Sequence, residues 1–263
     1  MHTIADIADF LQEFAPPRLA EEWDNVGLLV GDRSRQVRRV MTCLTITPPS
    51  AAEAIHREAD LIVTHHPLPF RALKRITTET TAGAMLLDLI GAHIAVYSPH
   101  TAFDSARQGI NQRLGEGLGL AELAPLIPGG EGDELSGGGR WGRLAEPMPL
   151  GGLAEWLKDL LAVERVQLVG NPELLVRTVA VACGAADDFL EEAVRACCDG
   201  LVTGETRFHT CLEAEARGVG LILPGHFASE RFAVECLADV LAKKFPTLEV
   251  WASTMEQDPL QWF

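Results

Sequence analysis

A segment of thirty residues occurs twice in this chain, and that repetition limits the folds open to it. Shifting the sequence by 139 positions lays Val37–His66 on Val176–Glu205 without a gap. Eight of the 30 positions are identical: Val37/Val176, Arg38/Arg177, Val40/Val179, Glu53/Glu192, Ala54/Ala193, Asp60/Asp199, Val63/Val202 and Thr64/Thr203. Ordinary residue frequencies would give about two. Agreement in kind continues beyond the segment. After the next helix and strand, one copy reads His100-Thr-Ala-Phe-Asp104 and the other His226-Phe-Ala-Ser-Glu230. The expected unit is strand–helix–strand–helix–strand, duplicated. Convergent α/β patterning is the competing account.

Short β-branched runs alternate with helical stretches, which predicts a parallel α/β organisation. Strands are expected at Val37–Thr45, Leu61–Thr64, His93–Ser98, Val166–Val169, Val179–Cys183, Leu201–Thr203 and Val219–Leu223. Amphipathic segments lie between them, at Ser50–Ala59, Thr80–Ile90, Ser105–Leu114 and Asp187–Cys198. Pro128–Arg143 breaks the pattern, with seven glycines in 16 residues. It reads as a linker between two lobes. The chain has 263 residues, enough for two cores. The expected division is a first lobe of residues 1–128 plus 225–263 and a second of residues 129–224.

Charge narrows the partners. Lys and Arg number 22 against 37 Asp and Glu, a formal net charge of −15. Nucleic-acid backbone needs clustered positive charge, so it is not the expected ligand. No apolar run approaches the roughly 18 residues of a membrane span. The first residues carry Asp6, Asp9 and Glu13, the wrong sign for a secretory or transit peptide. The six cysteines form no C-x-x-C pair and read as reduced small hydrophobes. A cytoplasmic protein is expected.

Three motifs carry chemistry. Leu61-Ile-Val-Thr-His65-His66-Pro67 is an apolar strand that runs into two histidines. Adjacent residues on an extended chain point to opposite sides, so the two imidazoles reach different positions, which suits two metals better than one. Taken alone, the pair is as compatible with hydrogen-bonded structural histidines. His100 and Asp104 follow a second strand, and His226 and Glu230 follow a third. A spacing of four puts each pair on one helical face. Singly, each pair also reads as a helix-start carboxylate with a surface histidine. Together they place six ligand-type side chains beyond strand carboxyl ends, where open α/β sheets bind ligands. Imidazole and carboxylate suit Zn, Mn, Fe, Co or Ni. A metal site is therefore expected at strand carboxyl ends between the lobes.

His65-His66-Pro, His100-Thr-x-x-Asp104 and Gly225-His226-x-x-x-Glu230, in this order, resemble the NIF-three-like family, whose members are often named type 2 GTP cyclohydrolase homologues. The resemblance extends to Trp23-Asp24-Asn25-Val26-Gly27-Leu28, Gly139-Arg140-Trp141-Gly142, Thr203-Gly204-Glu205 with His209, and Asp258-Pro259. It implies two related α/β lobes, two divalent metal ions per chain, and a homo-oligomer, commonly a ring-shaped hexamer. Carried over by motif, His66 and Asp104 bind one ion, His65 and His226 bind the other, and Glu230 bridges both. His100 is then a near-site residue. The chain departs from the pattern at Thr45, Ala102 and Trp141, none of them a proposed ligand.

The implied activity is metal-dependent hydrolysis of a small molecule, a purine nucleotide or another cyclic, amide-like compound. Glu205 occupies the place of His66 in the second copy, and His209 lies one helical turn on. Both are candidates for proton transfer, or Glu205 is a carboxylate stabilised at a helix start. No P-loop and no Rossmann glycine fingerprint appears. Phosphate recognition would fall to Arg71, Arg75 or Arg207. The rival reading is a non-catalytic metal carrier, chaperone or regulatory scaffold.

Overall fold

The computed structural model describes residues 1–130 and 133–261. The chain forms two compact units, Met1–Phe103 with Ala233–Phe263 and Asp104–Phe232. The first is discontinuous. The division falls at 103/104 and 232/233, inside the helices His100–Ser105 and His226–Lys244. It does not fall in the glycine-rich segment. The reason is hydrophobic: Leu114, Leu118 and Leu120 pack with Leu150, Val179 and Val202 in the core of the second unit. Those contacts bind residues after 103 to the second sheet.

The first unit is built on a five-stranded sheet, in the order Glu249–Ala252, Arg39–Cys43, Leu61–Thr64, Ala95–Ser98 and Gly27–Val30. Its first three pairings are parallel and the last is antiparallel. Leu61–Thr64 and Ala95–Ser98 are buried at every position, as expected for strands covered on both faces. Met41, Ile62 and Val96 pack under Leu86 and Leu89 of the helix Thr81–Gly91. Thr47 opens the helix Pro48–His56 through a capping box with Ser50, and Thr80 caps Thr81–Gly91. Each cap satisfies a backbone N–H that the helix leaves open.

The second unit is built on a six-stranded sheet, in the order Gln167–Val169, Gly220–Leu223, Gly200–Glu205, Leu175–Ala185, Arg140–Pro149 and Ala121–Ala124. The central strands Leu175–Ala185, Gly200–Glu205 and Gly220–Leu223 are parallel. Alternation divides its core between two faces. Val179, Val181, Val202 and Ile222 meet one set of helices, while Ala180, Ala182, Leu201 and Leu221 meet the other. The glycine-rich segment belongs to this unit. It forms the antiparallel pair Ile127–Pro128 with Gly137–Gly138 and then enters the strand Arg140–Pro149. Residues 131–132 of that segment lie outside the described residues. Gly137 and Gly139 hold φ of 148° and 58°, a region that favours glycine.

One local device recurs in each unit. The Asp60 carboxylate accepts hydrogen bonds from the backbone of Arg38 and Arg39, at 2.8 and 3.0 Å. The Asp199 carboxylate does the same for Arg177 and Thr178, at 2.9 and 2.8 Å. Among the described residues no helix is long and apolar enough to cross a membrane.

Candidate metal centre

In the first unit the parallel pairing of Leu61–Thr64 with Arg39–Cys43 continues one step past the strand. His65 N–H donates to Cys43 O at 3.0 Å, and His66 N–H to Leu44 O at 2.8 Å. These bonds fix the backbone from which the two imidazoles project. The Ser98 hydroxyl donates to His65 O at 2.6 Å, tying the neighbouring strand to the same point. His65 is 2% exposed. Thr45 Oγ1 lies 2.6 Å from His66 Nδ1, so Nε2 is the ring nitrogen that could serve a metal.

The structure brings His100 into this group. His65, His66 and His100 each offer a ring nitrogen within 4.8 Å of the others. His100 sits at the start of its helix with φ of 26°. Its Nδ1 is 2.7 Å from Asp24 Oδ1. Asp24 also accepts from the Thr101 hydroxyl, from Thr101 N–H at 3.2 Å and from Asn25 N–H at 2.7 Å. Burial pushes the Asp24 carboxyl up, but the bonds from His100 and Thr101 outweigh it and hold the group at about 2. Asp24 carried no decisive signal in the sequence, because its partner lies 76 residues away.

A pH dependence follows from that depressed value. A carboxyl titrating at about 2 rather than 3.8 contributes stability that is complete above the unfolded value and lost as pH falls through the folded one. At about 1.4 kcal/mol per pKa unit, the expected contribution is roughly 2 kcal/mol. Asp24→Asn should therefore flatten the loss of stability between about pH 4 and pH 2. Urea unfolding across that range measures it, and parallel curves for the two proteins would refute the assignment.

In the second unit His226 stands between two carboxylates. Its Nε2 is 3.1 Å from Glu230 Oε2 and its Nδ1 3.0 Å from Glu205 Oε1. The hydrogen bond to Glu230 raises the imidazole pKa, burial opposes it, and Glu205 adds to the rise, so that it reaches about 9. Glu230 is 3% exposed. Asp104 Oδ1 accepts from the Cys183 thiol at 3.3 Å. Burial, then the charges of Asp104 and Glu230, push that thiol well up, so it remains protonated. Two glycines make room here, one for the Glu230 carboxylate and one for the Ser229 hydroxyl. A Cβ on Gly184 would stand 2.3 Å from Glu230 Oε1, and one on Gly204 would stand 2.5 Å from Ser229 Oγ. Gly184 N–H donates to that same Ser229 hydroxyl at 3.0 Å.

Glu205 and His209 part company. Glu205 touches His226 and orients it, whereas His209 is exposed one turn along the helix Phe208–Arg217. His209 lines an open groove of about 500 Å³ with Asp187, Arg207 and Glu213. Arg207 is engaged there by Asp187, Nε to Oδ2 at 2.6 Å.

These residues fit a divalent ion on their own chemistry. Buried imidazole and carboxylate are the donors first-row metals take, several rings are already held by an oxygen at their other nitrogen, and glycine leaves the space beside Glu230. An anionic group as buried as Glu230 calls for compensating positive charge.

A mixed α/β fold carrying His65, His66 and His100 close enough together to hold a metal ion defines a broad class, and relatives narrow it. The family model Duf34/NIF3 (NGG1p interacting factor 3) matches residues 2–259. A GTP cyclohydrolase 1 type 2 homolog of Clostridium acetobutylicum is 33% identical, covering 86% of this chain and 85% of its own. NIF3-like protein 1 of Drosophila melanogaster is 31% identical over 98% of this chain and 88% of its own. The hypothetical protein SA1388 of Staphylococcus aureus superposes with a TM-score of 0.90 at 27% identity, over 99% of both chains. This chain belongs to the Duf34/NIF3 family.

Proposed function

We propose that this protein is a metal-dependent hydrolase of a small cyclic molecule, with two divalent ions held per chain. His66 and Asp104 would hold one ion, His65 and His226 the other, and Glu230 both. The observation that carries the reading is His226 held between Glu205 and Glu230, an imidazole oriented by one carboxylate and aimed at another. Two ions held there supply Lewis-acid activation of a water nucleophile and of the bond it attacks. The names borne by relatives suggest a cyclohydrolase-type substrate. The duplication belongs to the same reading and is supported by the matching roles of Asp60 and Asp199. So does assembly as a homo-oligomer, hexameric by family resemblance.

The chain's own residues divide the work. Thr45 and Glu205 orient His66 and His226. Asp24 holds His100 beside the other rings. Trp23 and Phe70, 63% and 46% exposed with ring centroids 5.9 Å apart, flank His100. An exposed aromatic surface beside ligand-type imidazoles favours a bound organic substrate over simple ion delivery. His209 is the candidate for moving a proton at its imidazole.

Elemental analysis of protein purified without added metal, followed by a substrate screen on the same material, tests the proposal. His209→Asn should keep the metal and reduce turnover by roughly 10²–10⁴. Glu205→Gln should weaken metal binding, through His226, by about 10–100-fold. An unchanged rate in His209→Asn removes that residue from the mechanism. Fully metallated protein inert toward nucleotides, cyclic amides and phosphoesters would make the carrier reading the better one.

A further inference from the structure

Cys183 is a buried thiol that the proposed chemistry does not use. It lies where the strand Leu175–Ala185 loses register with Gly200–Glu205, between Ala182 and Ala185. Such an irregularity re-aims a side chain near a site. Here it turns Gly184 into the left-handed region, with φ of 67°, and directs the Cys183 thiol at Asp104 Oδ1, 3.3 Å away. Asn111 closes the arrangement. Its amide donates to Asp104 O at 3.2 Å and its carbonyl oxygen accepts from Cys183 N–H at 2.8 Å. The carboxylate and the backbone of Asp104 are thus both tied to one bulged position, 79 residues along the chain.

We propose that Cys183 is a positioning residue for Asp104: its thiol donates a hydrogen bond to Oδ1, fixes the orientation of the carboxylate that would hold the ion, and is not itself a metal ligand. The inference rests on the reading of Asp104 as a ligand. A carboxylate left to rotate about its last bond loses orientation when the ion arrives. A donor from a rigid strand limits that freedom, and outer partners of this kind are worth about 10–100-fold in metal affinity. Sulfur is the softer donor of the pair, so direct ligation would leave a distinct signature.

The test uses the full chain loaded with Co²⁺. Wild-type protein should show no sulfur-to-cobalt charge-transfer band in the near ultraviolet. Cys183→Ala should bind one of its two ions about 10–100-fold more weakly. Cys183→Ser, which keeps a donor, should recover most of that affinity. Metal-free unfolding midpoints of the three proteins should agree closely, which a merely structural role would not allow. Should the alanine variant fold poorly, Cys183→Val fills the space without the donor and carries the same test. Unchanged affinity in the donor-less variants overturns the proposal, as does a charge-transfer band in wild type. Asp104→Ala separates the two levels. If it empties one ion while Cys183→Ala and Cys183→Val do nothing, only the positioning role falls. If it keeps both ions, the ligand assignment falls and the positioning role with it.

Discussion

Glu230→Ala is expected to release both metal ions, taking the chain from two bound ions to none. The other proposed ligands each serve one ion, so their loss should be partial: His66→Ala or Asp104→Ala should empty mainly one position. Glu230 differs because its carboxylate is proposed to be shared, and because a buried site offers no ready substitute. Gly184 presents only backbone beside it, and a water in the vacated space would bring no charge. Stability should follow occupancy. Binding to the native state adds about 2.7 kcal/mol at a hundredfold excess of ion over Kd. Chelator should therefore lower the melting temperature of wild type and leave Glu230→Ala unmoved. Full metal occupancy in the variant would sink the bridging assignment.

The second large effect concerns folding rather than metal. Arg140 is 0% exposed, and its guanidinium donates to Gln112 Oε1 at 2.8 Å, to the carbonyls of Gly137 and Gly139 at 2.7 and 2.6 Å, and to that of Ala106 at 2.8 Å. Longer bonds reach Leu135 O at 3.3 Å and Ser105 O at 3.4 Å. Burial lowers its pKa to about 10, with Asp133 and Glu116 opposing, so it stays charged at neutral pH. Arg140→Ala would strand several buried carbonyls at about 1–3 kcal/mol each and leave a void. A loss on the order of 5 kcal/mol is expected, among the largest single-residue effects. Arg140→Lys should recover only part, since an ammonium is a point donor and cannot span a fork of acceptors. Amide hydrogen exchange over residues 104–128 reads the second unit by itself. Protection unchanged within about 1 kcal/mol would contradict this role.

Arg140 also marks where sequence reading stopped. Pro128–Arg143 reads as a linker because glycine offers nothing to fill a core. In the structure its glycines supply turns and carbonyls, and the arginine beside them is the core residue. Composition could not say that a charged side chain would be buried by neutral oxygens. The strands ending at Thr64, Ser98 and Leu223 were legible because short, mostly apolar runs end at or just before Pro67, Pro99 and Pro224. The histidines that follow them were legible for the same reason. Their supports were not. Asp24 reaches His100 across 76 residues and Asn111 reaches Cys183 across 72, and neither pair has a spacing to recognise. Cys183 reads as a small hydrophobe because its neighbours are apolar; only the bulge after Ala182 reveals what its sulfur meets. Glu205 was legible by its place in the repeat, but its contact with His226 gives it an orienting role that position alone did not separate from proton transfer.

The strand Glu249–Ala252 lies beside Arg39–Cys43, and the chain beyond it continues the join. Ser253 N–H donates to Thr42 O at 2.7 Å, and Glu256 accepts from the backbone of Leu44 and Thr45 at 3.0 and 2.7 Å. On a ribosome this edge cannot close when Arg39–Cys43 emerges. About 200 further residues must be made first, which at roughly 5–20 residues per second takes some 10–40 seconds. Residues 104–232 are contiguous and complete during that interval, so the second unit to begin is the first able to finish. Until the last strand arrives, Arg39–Cys43 presents unpaired backbone groups to the crowded exit of the ribosome, the kind of edge on which nascent chains join one another. The order of synthesis thus places the period of greatest aggregation risk before the C-terminal strand is made.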